Sequence, residues 1–382
     1  MAPNIAIIST CIEEWGGSEE LWGRSIPMLQ AAGVEIMVYK DRINSRHPRW
    51  AALAGSGVRL FELQTPKWQF FARKAWLWMR KRYWYESSEL RRAFTHRLLA
   101  DRPALVVIAQ GINFDGLNYA QDCLAAGIPF VVICQKAVDF YWPQPDQRPG
   151  MIKALTEARR CFFVSRHNQA LTEEQFGIRL RNAQVVFNPV DRSVGPVPYP
   201  ADRSVYRLAC IGRLFVLDKG QDILIRLLAR PKWRDRPVEL TFIGSGVDRE
   251  GLAAMAQMYG LTNVHFAGQL ADVRESWRNF HALALPSRSE GLPLVVLEAM
   301  AAGRVVITTT AGGSQEVIAD GVTGFIGDTG TESFGEALER AWQRREEWEA
   351  MGSAACRDLP NRLPDVPAET EFAKTLISIL HE

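Results

Sequence analysis

At 382 residues, with 47% apolar and 23% charged side chains, the chain has an ordinary globular composition, and its length suggests two domains with sizeable cores. That composition excludes a disordered or fibrous chain. A formal charge of +2 is too small to make nucleic acid the general partner.

The opening MAPNIAIIST lacks a basic segment and a cleavage site, and no apolar run approaches the roughly 20 residues that span a bilayer. Six cysteines, Cys11, Cys123, Cys134, Cys161, Cys210 and Cys356, are scattered without a CxxC pair and read as buried thiols of a reducing compartment. A cytoplasmic protein is expected, free or bound at the inner face of a membrane.

Short β-branched runs then alternate with amphipathic segments of helix length. IAIIS, VEIMVY, ALVVIA, PFVVIC, CFFVS and AQVVF are the expected strands of a first unit, and YRLACIG, VELTFIG, NVHFAG, HALALP and RVVITT those of a second. Strands alternating with helices predict parallel sheets built from right-handed crossovers, hence an α/β fold of two Rossmann-like domains. Residues 188–204 hold four prolines and no clear period, and the hinge is expected there. In such sheets ligands bind outside the carboxyl ends of the strands, so informative residues should follow strands.

They do. After the first strand, EEWGGSEE places Gly16 and Gly17 at a helix start, where bare backbone amides and the helix dipole can meet an oxyanion. After the first strand of the second unit, IGRLFVLDKGQDILI sets Gly212, Arg213 and Lys219 on one loop, two cations suited to a diphosphate. The Walker A pattern is absent, which disfavours an ordinary nucleotide hydrolase. FIGSGVDRE repeats the strand, glycine, helix order at Gly244, and FAGQLADV gives a loop at 268–270 where backbone groups near Leu270 can read a base. SEGLPLVVLE carries two acids eight residues apart. Pro293 suits the first helical position and Gly303 the position past the carboxyl end, so Glu290 should lie on the loop before a helix and Glu298 within it. A carboxylate inside the helix would repel phosphate but can accept hydrogen bonds from a ribose diol.

The spacing of Glu290 and Glu298, the Arg213 and Lys219 loop, WGGSEE, and GGSQEVIADGVTGF at 312–325 together resemble bacterial family 4 glycosyltransferases of the GT-B fold. The resemblance covers nearly the whole chain and is strongest in the carboxyl-terminal half. It implies two Rossmann-like domains facing each other across a cleft: 1–188 binding the acceptor, 189–360 binding the nucleotide-sugar donor, and 361–382 a C-terminal helix returning to the first. It implies a retaining, metal-independent transfer without cofactor, from a nucleotide sugar to a carbohydrate or lipid-linked acceptor in surface polysaccharide or glycoconjugate synthesis. Glu298 would bind the ribose, Arg213 and Lys219 the leaving diphosphate, and Glu290 the transferred sugar. The amides of Gly291, Leu294 and Val295 would add donors at the helix start. Many members carry a histidine after the fourth or fifth strand; here Gln135 and Lys136 stand in VVICQKAVDFYWP, and with Asn113 of QGINFDG they are the candidates for contacting sugar. His167 in VSRHNQ is read as a structural histidine. Two other classes share this build, a sugar-nucleotide epimerase and a catalytically silent nucleotide-sugar-binding protein.

Residues 67–97 hold nine basic residues and two acids, a net of +7. Read as a helix, residues 67–85 put Phe70, Leu77 and Trp84 in a ridge opposite the sheet-facing aromatics, flanked by Arg73 and Arg80 on one edge and Lys74 and Lys81 on the other. An apolar ridge between basic rows fits a helix lying on an anionic membrane surface; contact with another protein, or a break in the helix that buries the ridge, is the competing reading. In vesicle flotation at low salt the wild type should rise with anionic vesicles, and a folded Phe70→Ser, Leu77→Ser, Trp84→Ser variant should not. Wild type left at the bottom would refute membrane contact.

Overall fold

The computed structural model describes residues 3–11, 13–63, 88–191, 195–270 and 272–382. The aromatic and basic segment that carries Phe70, Arg73, Lys74, Leu77, Arg80, Lys81 and Trp84 lies outside them. The chain divides into two compact units, one of Met1–Val164, Asn168–Val186 and Ala368–Glu382, the other of Ser165–His167 and Phe187–Pro367.

In unit 1 the strands are β1 (Asn4–Ser9), β2 (Glu35–Lys40), β3 (Arg59–Glu62), β4 (Leu105–Ala109), β5 (Phe130–Cys134), β6 (Arg160–Phe163) and β7 (Ala183–Val185). They pair in the order β3-β2-β1-β4-β5-β6-β7, all parallel. β4 and β5 are buried along their whole length, which explains their unbroken apolar sequence. Helix Gly17–Ala31 covers one face with Leu21, Trp22, Ile26 and Leu29. The last helix, Ala368–His381, packs in the same cluster through Phe372, Ala373 and Leu376, with the Phe372 and Phe162 rings 4.8 Å apart.

Unit 2 contains β8 (Tyr206–Ile211), β9 (Val238–Ile243), β10 (Val264–Gly268), β11 (Ala282–Leu285), β12 (Val305–Thr309) and β13 (Gly324–Gly327), in the parallel order β10-β9-β8-β11-β12-β13. The sheet orders place β1 beside β4 and β8 beside β11. At each of these pairs the strand order reverses, which makes the loops after those strands the places for ligand.

β3 and β13 were not apparent in the sequence. RLFE is a short edge strand with no fully buried residue, and GFIG has glycine at both ends; pairing to β2 and β12 places them where propensity does not. The proline-rich stretch expected to be the hinge is in part fastened to unit 2. Arg304, 1% exposed, donates to the carbonyls of Val197 and Pro198 at 3.0 and 2.6 Å and to those of Trp277, Phe280 and Ala302. Burial pulls its pKa down to about 10. Among the described residues no helix is long and apolar enough to cross a membrane. Five of the six cysteines are buried, Cys356 is half-buried, and all are free thiols.

Unit 2 also holds an ion-pair cluster around Glu339. Arg236 donates twice to Glu339, at 2.7 and 3.0 Å, while its guanidinium lies 4.2 and 5.2 Å from the Trp233 and Trp342 ring centroids; Lys232 adds a contact at 3.1 Å. These bonds, opposed by partial burial, bring the Glu339 pKa down to about 2. That is below the value of about 4.3 in an unfolded chain. The stabilisation is therefore complete above the unfolded value and is lost as pH falls through the folded one. Glu339→Gln should lower the melting temperature at pH 7, and its deficit against wild type should shrink between pH 5 and pH 3. A deficit unchanged over that range would mean that packing, not charge, is what the substitution removes.

Candidate active site

The β8 loop runs from Gly212 through a single helical turn, Val216–Lys219, into helix Gln221–Leu228. Gly220 joins the two with φ +61°, and a Cβ there would stand 2.1 Å from the Pro286 carbonyl oxygen. Only glycine lets the end of the β8 loop lie against the end of β11. Gly244, at φ +136°, serves a similar approach from β9: its added Cβ would meet the Gly212 carbonyl oxygen at 2.1 Å. Gly244 thus shapes the loop from beneath through packing.

The β11 loop, 286–293, is laced to the β8 loop by charge. Arg288 donates to both carboxylate oxygens of Asp222, at 2.7 and 2.9 Å, and to the Val216 carbonyl at 2.7 Å. The backbone N–H groups of Arg288 and Ser289 donate to the Asp218 carbonyl at 2.8 and 3.1 Å. These contacts set Glu290 beside Lys219, with Nζ 2.6 Å from Oε1 and the Ser287 hydroxyl donating to the same oxygen at 2.7 Å. Glu290 is 6% exposed. Arg213 donates to Asp218 at 2.9 Å and lies 4.9 Å from the Phe215 ring. Each cation therefore has an acid partner, so the loop holds less bare charge than Arg213 and Lys219 alone imply. An ammonium has three donors, so Lys219 keeps capacity for a ligand oxygen while paired.

Helix Leu294–Ala301 begins one residue later than expected, with Pro293 as its cap and no side-chain hydrogen bond at that end. Leu294 and Val295 are its first two residues, whose N–H groups have no intrahelical acceptor. Glu298 is exposed on this helix. Asn188 donates to the Leu292 carbonyl at 2.8 Å, and the Gly313 N–H donates to the Gly291 carbonyl at 2.6 Å. Arg213, Lys219, Glu290, Gly212, Gly291, Leu294 and Val295 thus lie on the segments that follow two neighbouring strands, β8 and β11. Leu270 follows the edge strand β10, two strands away from that pair's nearer member.

The remaining candidates lie in unit 1. The Gly16 N–H donates to Glu19 Oε2 at 2.7 Å, and Gly17 opens the first helix. Gln135, 4% exposed, donates to the Ser18 carbonyl at 3.0 Å, so its amide nitrogen is engaged within the unit. Asn113, 7% exposed, donates to Gln175, which in turn holds the carbonyls of Val138 and Tyr141. Each thus spends an amide N–H on a bond within unit 1. Lys136 is half-buried after β5. The backbone N–H of His167 donates to Glu316 at 3.0 Å, within unit 2.

Sequence reasoning missed Ser287, Arg288, Asp218 and Asp222. Ser287 lies three residues before Glu290 and a local reading could have found it. Arg288 could not be paired that way, since Asp222 is 66 residues distant.

A family model described as Glycosyl transferases group 1 matches residues 206–344. Over 151 residues the chain is 32% identical to a D-inositol 3-phosphate glycosyltransferase of Segniliparus rotundus, covering 38% of this chain and 33% of that one. It is 36% identical over 138 residues to a GDP-mannose-dependent phosphatidylinositol monomannoside mannosyltransferase of Mycolicibacterium smegmatis, covering 33% and 35%. The chain thus spans about a third of the length of these two curated relatives. The crystal structure of Anabaena HepE in complex with UDP superposes with a TM-score of 0.74 at 18% identity, over 98% of this chain and 100% of that one. The two parallel sheets are those of the GT-B fold, and residues 206–344, which match the glycosyl transferases group 1 model, carry the loops after β8 and β11.

Proposed function

We propose that this protein is a retaining glycosyltransferase that moves a sugar from a nucleoside diphosphate sugar to a hydroxyl of a carbohydrate or lipid-linked acceptor, in the making of surface polysaccharide or glycoconjugate. The observation that carries this reading is the Lys219 and Glu290 pair, held beside Arg213 at the strand-order reversal of a group 1 domain. Unit 2 takes the donor in this assignment and unit 1 the acceptor. The basic, aromatic stretch in residues 67–97 supports an acceptor at an anionic membrane surface on the cytoplasmic side.

The chemistry assigned to these residues follows from their types and places. The bond between the anomeric carbon and the diphosphate oxygen breaks, and negative charge grows on the departing phosphate. Arg213 and Lys219, with the open helix start at Leu294 and Val295, stabilise that charge. The acceptor hydroxyl bonds to the anomeric carbon on the same face, and its proton passes to the leaving phosphate oxygen. Lys219 turning toward phosphate leaves a Glu290 oxygen to accept from a sugar hydroxyl, with Ser287 holding the carboxylate in place. Glu298, exposed on the helix, accepts from the ribose diol. In this reading the cations do the charge stabilisation and no bound metal ion takes part.

UDP-glucose is the first donor to test, because HepE structures contain UDP and UDP-glucose. Slow release of free UDP with the sugar transferred or hydrolysed supports transfer, recovery of an altered sugar nucleotide supports an epimerase, and binding without turnover supports a silent receptor. Lys219→Ala and Arg213→Ala should each cut turnover by about a hundredfold. Glu298→Ala should weaken UDP binding by about 1–3 kcal/mol, whereas Glu290→Ala should lower turnover and leave UDP affinity nearly intact. EDTA should change nothing; activity lost in EDTA and restored by Mn²⁺ would contradict the metal-free assignment.

A further inference from the structure

The two cations of the site ride on very little helix. Val216–Lys219 is a single turn, closed by two backbone bonds of helical spacing, from the Lys219 N–H to the Phe215 carbonyl at 2.9 Å and from the Gly220 N–H to the Val216 carbonyl at 3.0 Å. A turn this short does not persist in water on its own bonds, because ordering its residues costs more than the bonds return. Something outside the turn must hold Arg213 and Lys219 where they stand.

The sheet order sets β8 between β9 and β11, and the loop after each neighbour sends a charged side chain to one residue of the turn. From the β9 loop, Asp248 Oδ2 accepts the Val216 N–H at 2.7 Å. From the β11 loop, Arg288 Nη1 donates to the Val216 carbonyl, also at 2.7 Å. Both backbone groups of Val216 are thus taken by side chains from other strands' loops. The β9 loop runs along the preceding residues as well, with the Leu214 N–H donating to the Ser245 carbonyl at 2.9 Å and the Asp248 N–H to the Leu214 carbonyl at 3.1 Å. From behind, Gln221, 1% exposed, donates to the Arg213 carbonyl at 2.7 Å.

Asp248 forgoes a nearer use to make its bond. It occupies the cap position of helix Arg249–Met258, where an aspartate ordinarily accepts from the first N–H groups of its own helix. Here it makes no such bond, and its carboxylate reaches across to Val216. Arg288 meets both Asp222 oxygens, at 2.7 and 2.9 Å, while it holds the Val216 carbonyl. A lysine ammonium is a point donor and lacks the planar fork that meets these three oxygens together.

We propose that Asp248 and Arg288 are positioning residues that grip Val216 from two sides and so fix Arg213 and Lys219 for the diphosphate of the donor, an inference that rests on the transferase reading above. Asp248→Ala and Arg288→Lys should each lower kcat with UDP-glucose by about tenfold or more, the scale of a misplaced binding group. Each should weaken UDP binding by a similar factor and leave uridine binding within about twofold of wild type, since uridine carries no diphosphate for the turn to meet. A general loss of folded protein would lower both alike. Asp248→Asn keeps an acceptor oxygen for the Val216 N–H and should bring kcat and UDP affinity back toward wild type. Amide exchange in a peptide covering residues 213–220 should quicken in Asp248→Ala and Arg288→Lys while β8 and β9 keep their protection.

Unchanged UDP affinity or unchanged exchange in both variants, equal weakening of UDP and uridine, or an Asp248→Asn variant as poor as Asp248→Ala would each overturn the proposal. Should Asp248→Ala not fold, Arg288→Lys, which keeps a cation near Asp222, carries the same comparisons. A wild type that neither binds UDP nor turns over UDP-glucose, with exchange in residues 213–220 still quickened by both substitutions, would sink the transferase reading with a uridine donor and leave the grip on Val216 standing.

Discussion

Parallel strands deliver all their carboxyl ends to one edge of a sheet, and only where the strand order reverses do the following loops diverge and leave room for a ligand. In unit 2 that place lies between β8 and β11. Every contact of the candidate site follows from keeping the two diverging loops together despite the gap. Gly220 allows the approach at Pro286, and Arg288 spans from the β11 loop to Asp222. Without both, Glu290 would have no reason to stand beside Lys219.

The charges in the site are arranged in pairs, Arg213 with Asp218 and Lys219 with Glu290. The acids are the buried members of these pairs and the cations the more exposed ones. Such pairing lowers the cost of holding two cations on one loop, and it keeps each side chain in a defined position. Arg304 follows a different rule, satisfying a buried guanidinium entirely with backbone carbonyls and so fastening the proline-rich stretch to its unit.

Unit 1 has the same central strand order but uses it differently. The loops after β1 and β4 meet where the Gly111 N–H donates to Thr10 Oγ1 at 3.1 Å. The polar groups near that point, Glu19, Lys40, Gln135, Asn113 and Gln175, are engaged with one another or with backbone. The group 1 match does not extend to this unit. Its framework is laid out in the strand pattern, while the sequence of its loops follows no repeat.

The sequence by itself determined the strands whose burial leaves an unbroken apolar run, the parallel class, and the residue types after β8 and β11, because periodicity, glycine and proline act over a few neighbouring residues. The Glu290 and Glu298 spacing was legible for that reason: a proline cap and 3.6 residues per turn fix one acid before the helix and one within it. Tertiary structure alone decided the partners. Arg288 with Asp222, Lys219 with Glu290 and Lys40 with Glu19 join residues 66, 71 and 21 positions apart, and no local rule couples them. It also decided what the Gln135 and Asn113 amides bond, since a polar side chain after a strand reads alike whatever it faces. Edge strands such as β3 and β13 belong with these, because a strand with little apolar character is made by its neighbour's open hydrogen bonds, which sequence does not display.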